Sequence, residues 1–204
     1  FGVGSAQSRD YVATGTPTKG RGKRTDEGLE IMARLWSEER VNFSGDYYTL
    51  DDATIAPKPV QSPLPLWVGG SAAAAIERTA RWGTGWQAGI ESAAEVAPVI
   101  TAIKQRAAEL GRKIDDDHFG AGFGFRFGKR DEPLVARYNE QFEKRLGKDP
   151  AAYSAIGGVE DMMALVKDFH AAGVHKFVLR PIAAGTEDML EPVSYTHLTL
   201  PTTQ

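Results

Sequence analysis

The sequence predicts an α/β domain with a parallel sheet, and three observations predict it. Short apolar runs recur along the chain, stretches of helical periodicity separate them, and glycines stand where one kind of element gives way to the next. About five strands are expected, the first cut short. With 204 residues, 42% hydrophobic and 25% charged, the chain has enough apolar material for one sizeable core.

Phe1-Gly2-Val3-Gly4 reads as the end of a strand. The basic run Lys19-Gly20-Arg21-Gly22-Lys23-Arg24 reads as a solvated loop, because Asp26 and Glu27 follow it at once. A helix is expected from near Thr25, with Asp26 and Glu27 at its positive end and Leu29, Met32, Leu35 and Trp36 on one face. Residues 41–50 then form a hairpin-like excursion turning at Ser44-Gly45-Asp46, and a proline-spaced segment runs from Ala56 to Pro65. A strand over Pro65–Val68, a helix over Ala72–Arg81 and a short strand over Gly85–Ala88 make one repeating unit.

Ser92 and Glu95 form a capping box, with Val96, Val99, Ile100, Ile103, Ala107 and Leu110 at helical spacing behind them and Gly111 as the stop. Phe119–Phe127 is a longer strand whose aromatic face alternates with Gly120, Gly122 and Gly124, and the glycine face admits close backbone approach. Helices over Asp131–Leu146, with Pro133 in the first turn, and Val159–Ala172 follow, and the second feeds a strand at Phe177–Leu179. Both the doubly wound fold and the barrel fit this alternation.

Composition excludes several function classes. A formal charge of −3 and a pI near 5.9 give no reason to expect nucleic acid or an anionic membrane as the main partner. The absence of cysteine rules out disulfides and thiolate metal sites. No run approaches the roughly 18 apolar residues of a membrane helix, so a cytoplasmic protein is expected. No histidine pairs with a carboxylate at metal-ligand spacing, so no metal is expected. Neither a Gly-x-Ser-x-Gly elbow nor a P-loop is present, and Gly2-Val-Gly4 lacks the third glycine of a dinucleotide fingerprint, with Gln7 in its place.

A set of segments in order carries a resemblance. Gly2-Val-Gly4 leads to Tyr11 and Gly15; Arg24-Thr-Asp-Glu27 leads to Leu35-Trp36; Phe43-Ser-Gly45 precedes Tyr47-Tyr48. Then come Pro57-Lys-Pro-Val-Gln61, Pro65-Leu-Trp-Val-Gly-Gly-Ser71, Gly83-Thr-Gly-Trp86, and Ile156-Gly-Gly158 ahead of Ala172-Gly-Val174. Together they resemble the luciferase-like monooxygenase superfamily of flavin- and deazaflavin-dependent oxidoreductases.

That resemblance implies an eight-stranded (β/α) TIM barrel, of which residues 1–192 would be the C-terminal portion, about strands four to eight. Phe1–Gly4 resembles the end of the fourth strand, so strands one to three are expected upstream. Residues 193–204, threonine-rich and nearly free of charge, resemble readthrough into a library adaptor and are expected to be a non-native tail.

The resemblance also assigns a cofactor site. Gly69, Gly70 and Ser71 end a strand and open a helix, so their N–H groups and the helix dipole make an anion seat. Gly4 and Ser5 stand at the preceding strand end, with Arg9 or Tyr11 reaching toward a phosphate, and Trp86 stands beside the cofactor. Thr84 replaces the family's usual aspartate before Gly85-Trp86.

The expected activity is oxidation of a small organic substrate by reduced FMN and O2, with a separate flavin reductase as partner. The alternative is hydride transfer with a deazaflavin coenzyme. A reading of another class is a non-catalytic flavin-binding module or an inactive fragment. The full-length parent is expected to be a homo-oligomer. The family's acid–base residues tend to sit on early strands, so no catalytic residue is named.

Overall fold

The computed structural model describes Gly2, residues 9–185 and Asp188. The expected strand at Phe1–Gly4 and the expected tail at 193–204 lie outside the described residues. The chain separates into two compact units, Phe1–Gln87 with Val99–His118 and Ala88–Pro98 with Phe119–Gln204.

In the first unit a short helix α1 (Arg9–Ala13) precedes α2 (Arg21–Ser37). Gly20 stands at the start of α2 with φ 71°, a left-handed conformation that glycine adopts without penalty. The helix therefore begins before Thr25, and the basic run read as a loop supplies its first turn. Arg24 donates to the carbonyl of Pro17 at 2.6 Å, while Asp26 and Glu27 take tertiary partners in Arg78 and the hairpin tip. The other end of α2 is closed by Lys58, whose Nζ donates to the carbonyls of Leu35 at 2.8 Å and Glu38 at 2.5 Å.

The hairpin appears as expected. Strands β1 (Val41–Ser44) and β2 (Thr49–Ala53) pair antiparallel, and Gly45 N–H closes the turn on the carbonyl of Tyr48 at 2.9 Å. β3 (Trp67–Gly69), α3 (Ala73–Trp82) and β4 (Gly85–Gln87) then form one β-α-β unit with parallel strands. Two hydrogen bonds, one to a side chain and one between backbones, fix where these strands start: Leu66 N–H donates to Thr84 Oγ1 at 2.8 Å, and Thr84 N–H donates to the Leu66 carbonyl at 2.8 Å. Thr84 therefore ties the two strand entrances together.

Helix α4 (Ala93–Glu109) begins on the expected capping box, in which Ser92 N–H donates to Glu95 Oε2 at 2.8 Å and Glu95 N–H to Ser92 Oγ at 3.4 Å. Val99, Ile100, Ile103 and Ala107 are buried along one face of it.

The second unit centres on β5 (Phe119–Phe127), which pairs in parallel with β7 (Lys176–Pro181) and, through its last four residues, with β6 (Ser154–Gly157). Phe123 stacks on Phe169 of α6 (Val159–Ala171) at 5.8 Å between ring centroids, and Phe177 closes edge-on against both. The glycine face does what its composition suggests. A Cβ at Gly122 would lie 2.7 Å from the Val178 carbonyl, so only glycine lets β7 come this close. Strand β6 escapes a sequence reading because it is only four residues long and runs at Gly157 straight into the Gly158 N-cap of α6. Helix α5 (Pro133–Leu146) runs before it, as expected.

No closed barrel forms among the described residues. The physical reason is the strand count: β1 and β2 pair with each other, and β3 to β7 are fewer than the eight strands a barrel of this kind needs. No helix among the described residues is long and apolar enough to cross a membrane.

Candidate functional site

In the first unit a set of exposed backbone donors lies where β3 runs into α3. Gly69 pairs with Gln87 and Val68 with Trp86, which sets the two strand ends side by side. Gly85 permits that register, because a Cβ there would lie 2.5 Å from Cε2 of Trp67 and 2.8 Å from the His118 carbonyl. Gly70 has φ +103°, a conformation an L side chain rarely adopts. Its carbonyl accepts a hydrogen bond from Nε1 of Trp86 at 2.8 Å. Trp86 is fully buried, whereas residues 71–74 are exposed.

The start of α3 has no side-chain cap, since Ala72 occupies the N-cap. Ala75 and Ile76 donate to the Ala72 carbonyl, while the N–H groups of Ser71, Ala73 and Ala74 have no backbone acceptor among the described residues. A ten-residue helix thus starts on the small residues Ser71 to Ala74, with unsatisfied donors at its positive end among the described residues. The basic side chains of α3 are committed elsewhere. Arg78 pairs with Asp26 at 2.5 Å and Arg81 with Glu77. Glu77 also takes Arg106 at 2.6 Å, and chiefly that contact holds its carboxyl down at about 2. The start of α3 therefore offers backbone donors, with both arginines of that helix engaged by carboxylates.

The sequence matches the family model described as luciferase-like monooxygenase over residues 1–189. The chain belongs to the luciferase-like monooxygenase family. It is 33% identical over 118 residues to an F420-dependent glucose-6-phosphate dehydrogenase of Segniliparus rotundus, a match covering 55% of this chain and 35% of that protein. The match spans between 26% and 38% of the length of such curated relatives. Two solved structures share its fold. Monooxygenase RslO1 from Streptomyces bottropensis superimposes with a TM-score of 0.74 at 20% identity, over 97% of this chain and 66% of that one. An F420-dependent secondary alcohol dehydrogenase, in complex with an F420-acetone adduct, gives 0.72 at 20% identity, over 94% and 67%.

Of the cofactor residues expected in this luciferase-like chain, the structure brings Gly69, Gly70, Ser71 and Trp86 together through the Trp86–Gly70 hydrogen bond. Trp86 meets this strand end through its ring N–H. Tyr11 lies half-buried in α1, with its carbonyl accepting from Thr16 N–H at 3.0 Å. Gly4 and Ser5 lie outside the described residues.

Two groupings were not legible in the sequence. One side-chain ligand atom from each of Asp115, Asp117 and His118 comes within 4.8 Å of the others, although spacing alone had suggested no such set. The turn Asp116–His118 folds them together, and His118 Nδ1 lies 2.8 Å from the Thr84 carbonyl. In the second unit a cavity of about 350 Å³ is lined by Asn139, Glu143, Asp149, Ser154 and Asp168 among others, and Asn139 Oδ1 is buried with no hydrogen-bond partner among the described residues. Only the folded positions of α5, β6 and α6 unite these residues.

Proposed function

We propose that the protein containing this chain is a deazaflavin-dependent oxidoreductase, which moves a hydride between a hydroxyl-bearing carbon of an organic substrate and coenzyme F420. The observation that carries the reading is the row of N–H groups at Ser71, Ala73 and Ala74 that have no acceptor among the described residues, directly after the Gly69-Gly70 strand end. Such a row suits the phosphate of a cofactor tail. Gly4, Ser5 and Tyr11 would complete the contacts to that tail, and β3 to β7 would be the later strands of an eight-stranded barrel.

FMN and F420 both carry a phosphate, so the seat alone accommodates either. The relatives supply the order: the Segniliparus rotundus protein is named for F420, and its sequence is closer to this chain than those of the two structural neighbours. When bound, F420 supplies hydride chemistry and the protein supplies orientation and electrostatics. The chain's own part is to fix the phosphate by backbone donors that need no reorganisation, with Ser71 Oγ as an additional donor.

A second reading, monooxygenation by reduced FMN and O2 with a separate reductase, draws on the family's description and on the likeness to RslO1. The two part on oxygen. The complete protein is incubated anaerobically with F420 and a panel of alcohols and sugars, and loss of the oxidised deazaflavin absorbance is followed. Turnover without oxygen is expected. Activity seen only with reduced FMN and O2 would transfer the assignment to the second reading.

A further inference from the structure

The hydrogen bond from Trp86 to Gly70 has a geometric effect on the neighbouring residue. In a planar trans peptide the C=O and the N–H point in opposite directions. The Gly70 carbonyl and the Ser71 N–H belong to one such peptide. With the carbonyl drawn to the fully buried Trp86 ring at 2.8 Å, the Ser71 N–H is turned the opposite way, on a residue that is exposed and whose N–H has no backbone acceptor among the described residues. Gly70 makes this peptide easy to misplace, because at φ +103° it lies where glycine has several accessible conformations and no Cβ to limit them.

We infer that Trp86 is a positioning residue for the phosphate seat: its indole N–H locks the Gly70–Ser71 peptide in the orientation that offers Ser71 N–H to the anion. This rests on the cofactor reading above. Trp86 acts through Gly70 and contributes to binding only where the ligand carries a phosphate. The parallel register of β3 and β4, which sets Val68 opposite Trp86 and Gly69 opposite Gln87, holds the ring level with this strand end. Gly85 maintains that register by leaving room for Trp67.

The test compares wild type, Trp86→Phe and Trp86→His in the complete protein. Each is titrated with FMN and with riboflavin, its phosphate-free counterpart, and likewise with F420 and the deazaflavin lacking its phosphate-bearing tail. Trp86→Phe keeps an aromatic ring but loses the donor. It is expected to weaken the phosphate-bearing ligand about tenfold, roughly the worth of one charge-assisted hydrogen bond, while leaving the phosphate-free ligand within about twofold. Trp86→His, which retains a ring N–H, is expected to recover part of the loss.

Equal weakening of both members of a pair would overturn the inference, since it would mean that Trp86 acts by packing or by touching the ring system. No weakening at all would overturn it too. Wild type that binds neither phosphate-bearing cofactor would overturn the cofactor reading along with it. If Trp86→Phe does not fold, the Ser71 amide resonance of wild type decides. A large shift with FMN and not with riboflavin supports the inference, and identical shifts overturn it.

Discussion

Arg78 of α3 is 8% exposed and its guanidinium meets the carboxylate of Asp26 on α2 at 2.5 Å, which ties the helix leaving the Gly70 strand end to the helix before it. A buried guanidinium left without its partner is costly, while a buried pair replaced by apolar atoms is often neutral. Asp26→Asn should therefore destabilise more than Arg78→Met, even though each removes the same ion pair. Breaking a fully buried pair costs roughly 3–5 kcal/mol. Since the Asp26 side chain is 40% exposed, about 2 kcal/mol is expected for Asp26→Asn. Thermal or urea unfolding of the two variants checks the order.

Gly85 allows Trp67 and the His118 carbonyl to close over β4. Gly85→Ala places a methyl against Trp67 at 2.5 Å and against backbone at 2.8 Å, and the backbone has little freedom to yield. Overpacking of this kind costs about 1–3 kcal/mol. A lowered Tm together with altered near-ultraviolet tryptophan signal is expected, and an unchanged Tm would show that β4 can shift freely.

Glu95 is held at about 2 by the Ser92 N–H first, then by Lys148 and by the Tyr153 hydroxyl. Its pKa is lower folded than unfolded, so its contribution is complete above the unfolded carboxylate value and fades as the pH falls toward about 2. Glu95→Gln should flatten the acid side of the Tm-against-pH curve between about 4.5 and about 2 and leave its slope at neutral pH unchanged. An acid limb identical to wild type would contradict this.

The carboxylate of Glu27 accepts three consecutive N–H groups at the hairpin tip, Asp46 at 2.8 Å and Tyr47 and Tyr48 at 3.0 Å each. Glu27→Ala should cost about 1 kcal/mol, with amide exchange accelerated at residues 46–48 and little changed in β3 and α3. Uniform acceleration through the first unit would mean that Glu27 supports more than the hairpin.

Much of this was readable in the chain because the signals were local. The Ser92–Glu95 box fixes the start of α4, Gly147 the end of α5, and the Phe/Gly alternation of 119–127 a strand buried on both faces. The start of α2 was misplaced because Asp26 and Glu27 look like helix-end charges, whereas they serve Arg78 and the hairpin across long sequence separations. Strand β6 is legible only through its pairing with β5, which no local pattern announces. At the site, Gly69-Gly70-Ser71 is visible as a strand end before a helix. The link from Trp86 to Gly70 is not, because a tryptophan in an apolar run gives no sign of where its N–H points.

The proposed function requires the protein to hold a phosphate-bearing deazaflavin or flavin at the Gly69-Gly70-Ser71 strand end. Equilibrium titration of the complete protein with F420 and with FMN, in parallel for wild type and Ser71→Pro, checks this, since proline removes the Ser71 N–H donor. F420 is expected to saturate wild type at a lower concentration than FMN, with affinity reduced at least about tenfold in Ser71→Pro. Failure of wild type to bind either cofactor, or full affinity retained in a folded Ser71→Pro protein, would contradict it.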